Sequence, residues 1–435
     1  MRLLRYARND TTLAPRNNIA TYVFLFLLSA GILLNFIIPP FQSPDEPKHF
    51  GAIMIYAQGE EQQETIESNI IRFMDENEWW RFVGMWRPFP LPDKLSDIDY
   101  LMDYYSVSDF RQLLQNVTFY HFFMGKILRL FSKNNIHAAY YICRLVSFLL
   151  MLGSFWLIFL SFQNKLGTVP NFIFGFFFAL FLPQLFLISL AVAPDALTIF
   201  VGSLFFFAAI SLLSGKYGKH RLGYTALLII PAVLGFFTDR STFPLIILLV
   251  LFPLFFIKKK NYQKTIVYSL AFLILFILLL YFLTLLFPLQ IENSFLLLKN
   301  TLQRAVSGIP KLLSFNDFTG QFFILTADSF LLKFGWMAYS GHKIFYIIWR
   351  LFITLSIIGV VLALGKFLLA RIKKQSKQIL DFPHNKIIHF SLLAICVQIL
   401  GLWSFYGTNN IFVQGRHLFP LILPISLLFV TGIKN

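Results

Sequence analysis

The residues of this chain that could do chemistry come directly after its first long apolar run. Two carboxylates lie between two prolines, followed by a lysine and a histidine: Pro44, Asp45, Glu46, Pro47, Lys48 and His49. Carboxylates, a cation and an imidazole at the edge of a low-dielectric region are groups that general acid–base catalysis uses, because such surroundings shift pKa values. Pro44 fixes its own φ angle and Pro47 disfavours helical geometry at Glu46, which predicts a stiff, extended loop. A solvated turn with incidental charges is the alternative interpretation.

The composition indicates that the chain lies in a membrane. Of 435 residues, 57% are hydrophobic and 13% are charged, and the mean hydropathy is +0.68. No soluble domain needs so much apolar surface, so we predict an all-α polytopic membrane protein. Cys143 and Cys396 lie in apolar runs and provide no disulfide framework, zinc site or haem attachment.

About ten apolar runs are predicted transmembrane helices. They cover residues 19–38, 138–160, 171–190, 196–213, 222–237, 243–257, 265–287, 344–369, 387–405 and 417–430. We predict one transmembrane domain over residues 1–435, with a first outer loop at 39–137 and a second at 288–343. An amphipathic stretch at 118–132 predicts a helix in the membrane interface, with His121 on its polar side.

The distribution of the basic residues among the loops indicates how the chain is oriented in the membrane. With the N-terminus in the cytoplasm and the spans alternating, the cytoplasmic loops collect lysines and arginines with almost no carboxylates. The net charge of +16 therefore reflects membrane orientation, and no basic surface with interleaved aromatic residues indicates nucleic-acid binding. We predict a multi-pass plasma-membrane protein whose two large loops and acidic pair are extracytoplasmic.

This topology brings further polar residues to the same outer face as Lys48 and His49. The other loops supply Asp195, Asp239, Arg240, Trp336, Arg416 and His417. Ionisable groups beside membrane spans are costly and tend to mark function. We therefore predict an outer cavity that is open to lipid and binds substrate through these residues.

Some of these residues have a second interpretation that the sequence leaves open. Asp195 could serve only as a helix cap, and Asp239 with Arg240 could form a local ion pair. Arg416 could extend to lipid headgroups, and His121 could be structural or interfacial.

Six short stretches occur in the order, and on the side of the membrane, that a known family shows. They are residues 39–50, 118–123, 144–147, 194–197, 334–337 and 414–420. On these stretches the chain resembles the glycosyltransferase C superfamily of polytopic membrane sugar transferases. Within that superfamily it is most similar to a bacterial membrane-protein family with a Pro-Asp-Glu-Pro-x-His motif after the first span.

The resemblance implies a fold, a reaction and residue roles. It implies interface helices in the first outer loop, and sugar transfer from a polyprenyl-phosphate donor to a glycan or lipid acceptor of the cell envelope. Asp45 would be the general base on the acceptor hydroxyl, and Glu46 would position the acceptor or assist. Arg416, Arg240 and Lys48 would hold the lipid phosphate, which suits the bidentate geometry of arginine.

The cofactor and the function class have alternatives. Some superfamily members use a divalent metal such as Mg or Mn, and Asp45, Glu46 and Asp195 could supply oxygen ligands to one. A transporter or flippase of a lipid-linked envelope intermediate is a second function class. A non-catalytic assembly partner in envelope synthesis is a third.

Overall fold

Long apolar helices dominate the part of the chain that the computed structural model describes, which confirms the all-α membrane class. The described residues are 14–43, 45–82, 87–95, 118–131, 134–164, 182–215, 220–256, 274, 278, 299, 303, 323–331, 333–334, 339–372, 382–409 and 414–434. Five described segments are long and apolar enough to cross a membrane. They are Ile136–Gln163, Asp195–Leu213, Lys343–Lys366, Lys386–Trp403 and Gly415–Ile433.

The N-terminal half contains an apolar first helix, a group of shorter helices and two of the candidate membrane spans. Its helices are α1 (Ala14–Ile37), α2 (Glu46–Gln58), α3 (Gln63–Glu76), α4 (Trp79–Phe82), α5 (Phe119–Phe131), α6 (Ile136–Asn164), α7 (Pro183–Ser189) and α8 (Asp195–Leu213). A single 3₁₀ turn, Glu60–Gln62, joins α2 to α3.

The C-terminal half continues with apolar helices and short 3₁₀ segments. Its helices are α9 (Arg221–Phe236), α10 (Phe243–Leu251), α11 (Phe323–Leu331), α12 (Lys343–Ile372), α13 (Phe382–Asn409) and α14 (Ile422–Lys434). The 3₁₀ segments are Arg240–Thr242, Phe252–Phe256 and Gly415–Leu421. Two short antiparallel strands, β1 (Lys333–Phe334) and β2 (Tyr339–Ser340), pair between α11 and α12.

Helix α8 lies at the centre of the bundle and α12 at its edge. In the most apolar window of α8, 83% of the residues are buried inside the protein, against 17% for α12. Helix α8 packs against α6, α9 and the Gly415–Leu421 segment. Because its first residue is Asp195, the central helix begins at the candidate site described below.

Helix α12 is joined to the bundle mainly through α14. Their backbones touch where they cross, since a Cβ atom on Gly359 would overlap the Gly432 carbonyl. The Ser356 hydroxyl also donates a hydrogen bond to the Phe429 carbonyl at 3.2 Å. Much of the remaining surface of α12 is exposed and apolar, as expected of a helix that faces lipid.

Arg144 on α6 fixes the end of α1. Its guanidinium donates to the carbonyls of Asn35 at 3.0 Å and Ile38 at 2.7 Å, and to the Leu190 carbonyl at 2.7 Å. The last carbonyls of a helix lack partners within the helix, and a buried guanidinium supplies them here. The chain therefore leaves α1 in a defined direction just before Asp45.

Several predicted segments fall outside the part of the chain that the structure describes. Most of the predicted spans 171–190 and 265–287, and most of the loop 288–343, lie outside the described residues. Helix α5, Phe119–Phe131, is present over the predicted amphipathic stretch 118–132. His121 is 2% exposed and contacts His49 on α2, whereas Leu130 and Phe131 are 81% and 72% exposed. Exposed apolar side chains are those that an interface helix turns toward lipid.

Candidate functional site

The acidic pair is the start of a helix, so the prediction of an extended loop at Glu46 was wrong. Helix α2 begins at Glu46, and Pro47 lies in its first turn, where a missing N–H costs no hydrogen bond. The chain changes direction at Asp45 instead, where the backbone has φ 63° and ψ 2°, in the left-handed region. Aspartate tolerates this region better than most residues, and such backbone strain concentrates at functional sites.

Asp45 directs its carboxylate to a distant segment of the chain. It precedes α2 but makes no side-chain capping hydrogen bond to it. Its Oδ2 atom lies 3.6 Å from Nη2 of Arg416, and its side chain is 20% exposed. The left-handed turn therefore presents a partly accessible carboxylate beside a guanidinium.

Arg416 lies between two carboxylates. Besides Asp45, it pairs with Asp195 through Nη1 and Oδ2 at 3.3 Å, and its own side chain is 12% exposed. Its Nε atom is buried and has no hydrogen-bond partner within the described part of the chain. Asp195 is the first residue of α8 with Pro194 at the cap position, and its carboxylate pairs with Arg416. The structure thus favours the interaction with Arg416 over helix capping alone for Asp195.

Lys48 and His49 lie on the first turn of α2 beside this group. Lys48 is buried, and His49 is partly buried. Nδ1 of His49 is 2.9 Å from Nε2 of His121. Burial and the charges of Lys48 and Arg416 lower the pKa of His49 from 6.5 to about 3, opposed by Asp239. His49 is therefore neutral at physiological pH.

Glu46 supports the turn from inside the protein. Its Oε1 atom accepts from the Tyr140 hydroxyl at 2.7 Å and from the Val192 N–H at 2.9 Å, and Oε2 accepts from the Ser43 N–H at 3.1 Å. Nε of Arg144 is 4.0 Å from Oε1. Because Glu46 is fully buried with both oxygens bonded to protein groups, its contacts are those of a residue that positions Asp45.

Two further loops meet beside Arg416 and are tied together by Gln398 on α13. The Gln398 amide donates to the Ser241 carbonyl at 2.9 Å and to the His417 carbonyl at 2.7 Å. One loop contains Asp239, whose Oδ1 accepts from the Ser241 N–H at 2.7 Å. Asp239 also interacts electrostatically with Arg416. Gln398 thus fixes Asp239 and the Arg416 segment relative to one another.

For three predicted site residues the structure describes only part of the residue's surroundings or does not describe the residue. Arg240 begins the 3₁₀ segment Arg240–Thr242, and its side chain is outside the described part. His417 follows Arg416 and is partly buried, and its main-chain carbonyl binds Gln398. Trp336 lies outside the described residues, so its role stays a prediction.

The carboxylates that could supply metal ligands, those of Asp45, Glu46 and Asp195, have other partners in the described part of the chain. No group of three histidine, cysteine or acidic side chains that could hold an ion occurs among the described residues. Asp45 and Asp195 share the Arg416 guanidinium, while Glu46 is bonded to Tyr140 and main-chain N–H groups. The guanidinium thus provides the positive charge between the two aspartates.

Sequence reasoning did not assign a site role to four residues that hold this site together. They are His121, Tyr140, Arg144 and Gln398. Arg144 and Gln398 did leave a signal, because each is a strongly polar residue within an apolar run. His121 and Tyr140 gave no comparable signal, since histidine and tyrosine are common at membrane interfaces.

The chain is similar to a known family over most of its length. A family model described as predicted membrane protein (DUF2142) matches residues 109–425. This range includes Asp195, Asp239 and Arg416 and begins after Asp45. No curated protein and no solved structure matches the chain.

Proposed function

This chain belongs to the DUF2142 family of predicted membrane proteins, and from that premise we propose that it is a membrane glycosyltransferase. It transfers a sugar from a polyprenyl-phosphate donor to a glycan or lipid acceptor of the cell envelope. The reaction takes place at the extracytoplasmic face of a bacterial plasma membrane. The resemblance of the motifs to the glycosyltransferase C superfamily and the arrangement of the acidic and basic side chains support this proposal.

One observation carries the proposal: Asp45 and Asp195 both pair with Arg416, although the three residues belong to separate segments. The distances are 3.6 Å and 3.3 Å, and all three side chains are partly shielded from solvent. Burying charges at a membrane protein's helix ends is costly unless they are paired or used. Lys48, His49 and Asp239 lie nearby, so the site contains acids, cations and a neutral imidazole.

The proposed reaction needs one base and cations for the leaving group. The acceptor hydroxyl oxygen attacks the anomeric carbon of the donor sugar while its proton passes to the Asp45 carboxylate. The bond between the anomeric carbon and the phosphate oxygen breaks, and the phosphate leaves with the electron pair. No other reactant is required, and the polyprenyl phosphate is the second product.

Arg416 has two roles in this mechanism. Without donor, it pairs with Asp45 and Asp195. When the donor phosphate binds, the guanidinium shares its N–H groups with the phosphate oxygens and stabilises the charge that develops on them. The Asp45 carboxylate then loses part of its pairing and becomes a better proton acceptor. Lys48 and Arg240 add positive charge for the phosphate.

The test is sugar transfer by membranes that contain the wild type or Asp45→Asn at matched levels. Radiolabelled polyprenyl-phosphate sugars are supplied as a panel, and the label is followed into envelope material. We expect transfer of one sugar by the wild type, and about 10²–10⁴-fold less by the variant, because the base is lost. Asp93→Asn is the matched control, since Asp93 is an exposed residue of the same outer loop.

The other functions predict different results. Retained transfer by Asp45→Asn would remove Asp45 as the base. Movement of an intact lipid-linked intermediate across proteoliposomes, without transfer by either protein, would favour a transporter. Normal envelope product in cells with Asp45→Asn, and its loss only without the protein, would favour an assembly partner.

A further inference from the structure

Two histidines from different helices contact each other beside the charged site. His49 is on α2 and His121 is on α5, and their rings approach through Nδ1 of His49 and Nε2 of His121 at 2.9 Å. His121 is almost fully buried. Its remaining nitrogen, Nδ1, lies 3.0 Å from the Thr118 main-chain nitrogen and 3.0 Å from the Thr118 hydroxyl oxygen.

These contacts determine which nitrogen carries each proton. The Thr118 N–H can only donate, so Nδ1 of His121 must accept and carries no proton. A neutral His121 then carries its proton on Nε2, which donates to Nδ1 of His49. His49 must therefore carry its own proton on Nε2. The chain of hydrogen bonds runs in one direction, from Thr118 through His121 to His49.

The surroundings keep both rings neutral. Burial and the charges of Lys48 and Arg416 lower the pKa of His49, with Asp239 acting in the opposite direction. Burial, His49 and Lys48 lower the pKa of His121, while the Thr118 backbone opposes that shift. Lys48, Arg416 and Asp239 therefore all interact electrostatically with the His49 ring.

We propose that His121 is a positioning residue that holds His49 in one neutral tautomer, so that the His49 Nε2–H donates to an oxygen of the bound substrate. The oxygen belongs to the sugar or to the phosphate of the donor, which are both hydrogen-bond acceptors. His49 in this state has no lone pair on Nε2 and cannot serve as the base. The part of the proposal that concerns substrate rests on the proposed function, whereas the tautomer assignment does not.

The tautomers can be measured without any activity. The full-length protein is labelled with nitrogen-15 histidine in detergent, and the His49→Gln and His121→Gln variants identify the two sets of resonances. We expect both rings to carry the proton on Nε2 and to keep it between about pH 5 and pH 8. A proton on Nδ1 of either ring, or titration of His49 in that range, would overturn the assignment.

A second experiment tests the role of the His49 N–H in transfer. Glutamine can place an amide N–H close to the Nε2 position of histidine, whereas asparagine is too short to do so. We expect His49→Gln to keep a KM for the donor near that of the wild type, and His49→Asn to raise it about tenfold through loss of one hydrogen bond. Equal KM values for the two variants would refute donation by Nε2–H.

The role of His121 is tested by a variant that keeps a ring but no nitrogen. His121→Phe frees His49 to change tautomer, so we expect a raised KM for the donor and a nitrogen-15 spectrum in which His49 also carries its proton on Nδ1. A KM and a His49 spectrum like those of the wild type would show that His121 only fills space. His220→Gln is the control, because His220 is exposed at the start of α9. If the wild type transfers no sugar, the nuclear magnetic resonance result still decides the tautomer assignment.

Discussion

The two buried arginines Arg144 and Arg416 have opposite surroundings. Arg144 is 2% exposed and donates to four main-chain carbonyls of the α1 end and residue 190. Arg416 faces two carboxylates at 3.3 Å and 3.6 Å and has a buried Nε atom without a partner within the described part. One guanidinium is saturated by the backbone, and the other is paired with side chains that a ligand can replace.

The two arginines therefore differ in role: the contacts of Arg144 maintain the fold, whereas those of Arg416 belong to the candidate site. Main-chain carbonyls at a helix end cannot move away from Arg144 without unfolding that end, so no substrate can compete for it. The carboxylates of Asp45 and Asp195 can change partner while the backbone stays in place. The partners of the two arginines therefore distinguish their roles.

Loss of Arg144 is expected to have the largest effect on stability. In Arg144→Gln the carbonyls at the end of α1 lose their hydrogen-bond donor, and the buried Glu46 loses a nearby cation. We expect the free energy of unfolding to fall by about 3–5 kcal/mol. The measurement is the thermal unfolding midpoint of the detergent-solubilised protein. The control Arg81→Gln removes a surface pair with Glu78 and is expected to change the midpoint little. If both variants unfold at the wild-type temperature, Arg144 does not stabilise the fold.

Loss of Arg416 is expected to affect transfer more than stability. Arg416→Gln removes the charge that would stabilise the leaving phosphate, so we expect transfer to fall about 10²–10³-fold. Its unfolding midpoint should fall less than that of Arg144→Gln, because no backbone carbonyls depend on Arg416 in the described contacts. Arg81→Gln again serves as the control, since Arg81 pairs with Glu78 on the exposed surface. A larger stability loss than in Arg144→Gln would reverse the comparison.

The smallest expected effect is a pH dependence of stability at the Arg416 site. The folded pKa of His49 is lowered to about 3 from 6.5, so the unfolded chain binds more protons between these values. The stability contributed by the neutral ring is fully present above 6.5 and is lost as the pH falls toward 3.

The measurement compares unfolding midpoints of the wild type and His49→Gln at about pH 7 and about pH 5. We expect a larger fall in the wild type, because glutamine does not titrate and the carboxylates are common to both proteins. An equal fall in both proteins would show that His49 does not cause the pH dependence.

Much of the fold was predictable because apolar run length determines where helices can cross a membrane. The predicted run 196–213 corresponds to α8, Asp195–Leu213, and the predicted run 344–369 lies within α12, Lys343–Ile372. The start of α2 was not predictable from the rule for residues before proline. A left-handed Asp45 makes the turn, and the first helical turn then accepts Pro47.

The site was predictable as a set of residues on one face but not as a set of contacts. Loop positions indicated Asp45, Asp195 and Arg416, which the structure brings together. Sequence could not show that Glu46 points inward to Tyr140, because that contact joins residues 94 positions apart. Opposite orientations of adjacent carboxylates depend on tertiary packing, which local patterns do not encode.

The contact between α12 and α14 has a mechanical consequence. The apolar stretch Lys343–Lys366 is about 36 Å long as a helix, which exceeds the roughly 30 Å hydrocarbon thickness of a bilayer, and a tilt of α12 would accommodate the excess. Gly359 and Gly432 bring the backbones of α12 and α14 into contact, and α14 directly follows the Arg416 segment. A change in bilayer thickness that alters the tilt of α12 would act on α14 and the Arg416 segment, so we expect the proposed transfer to depend on lipid chain length.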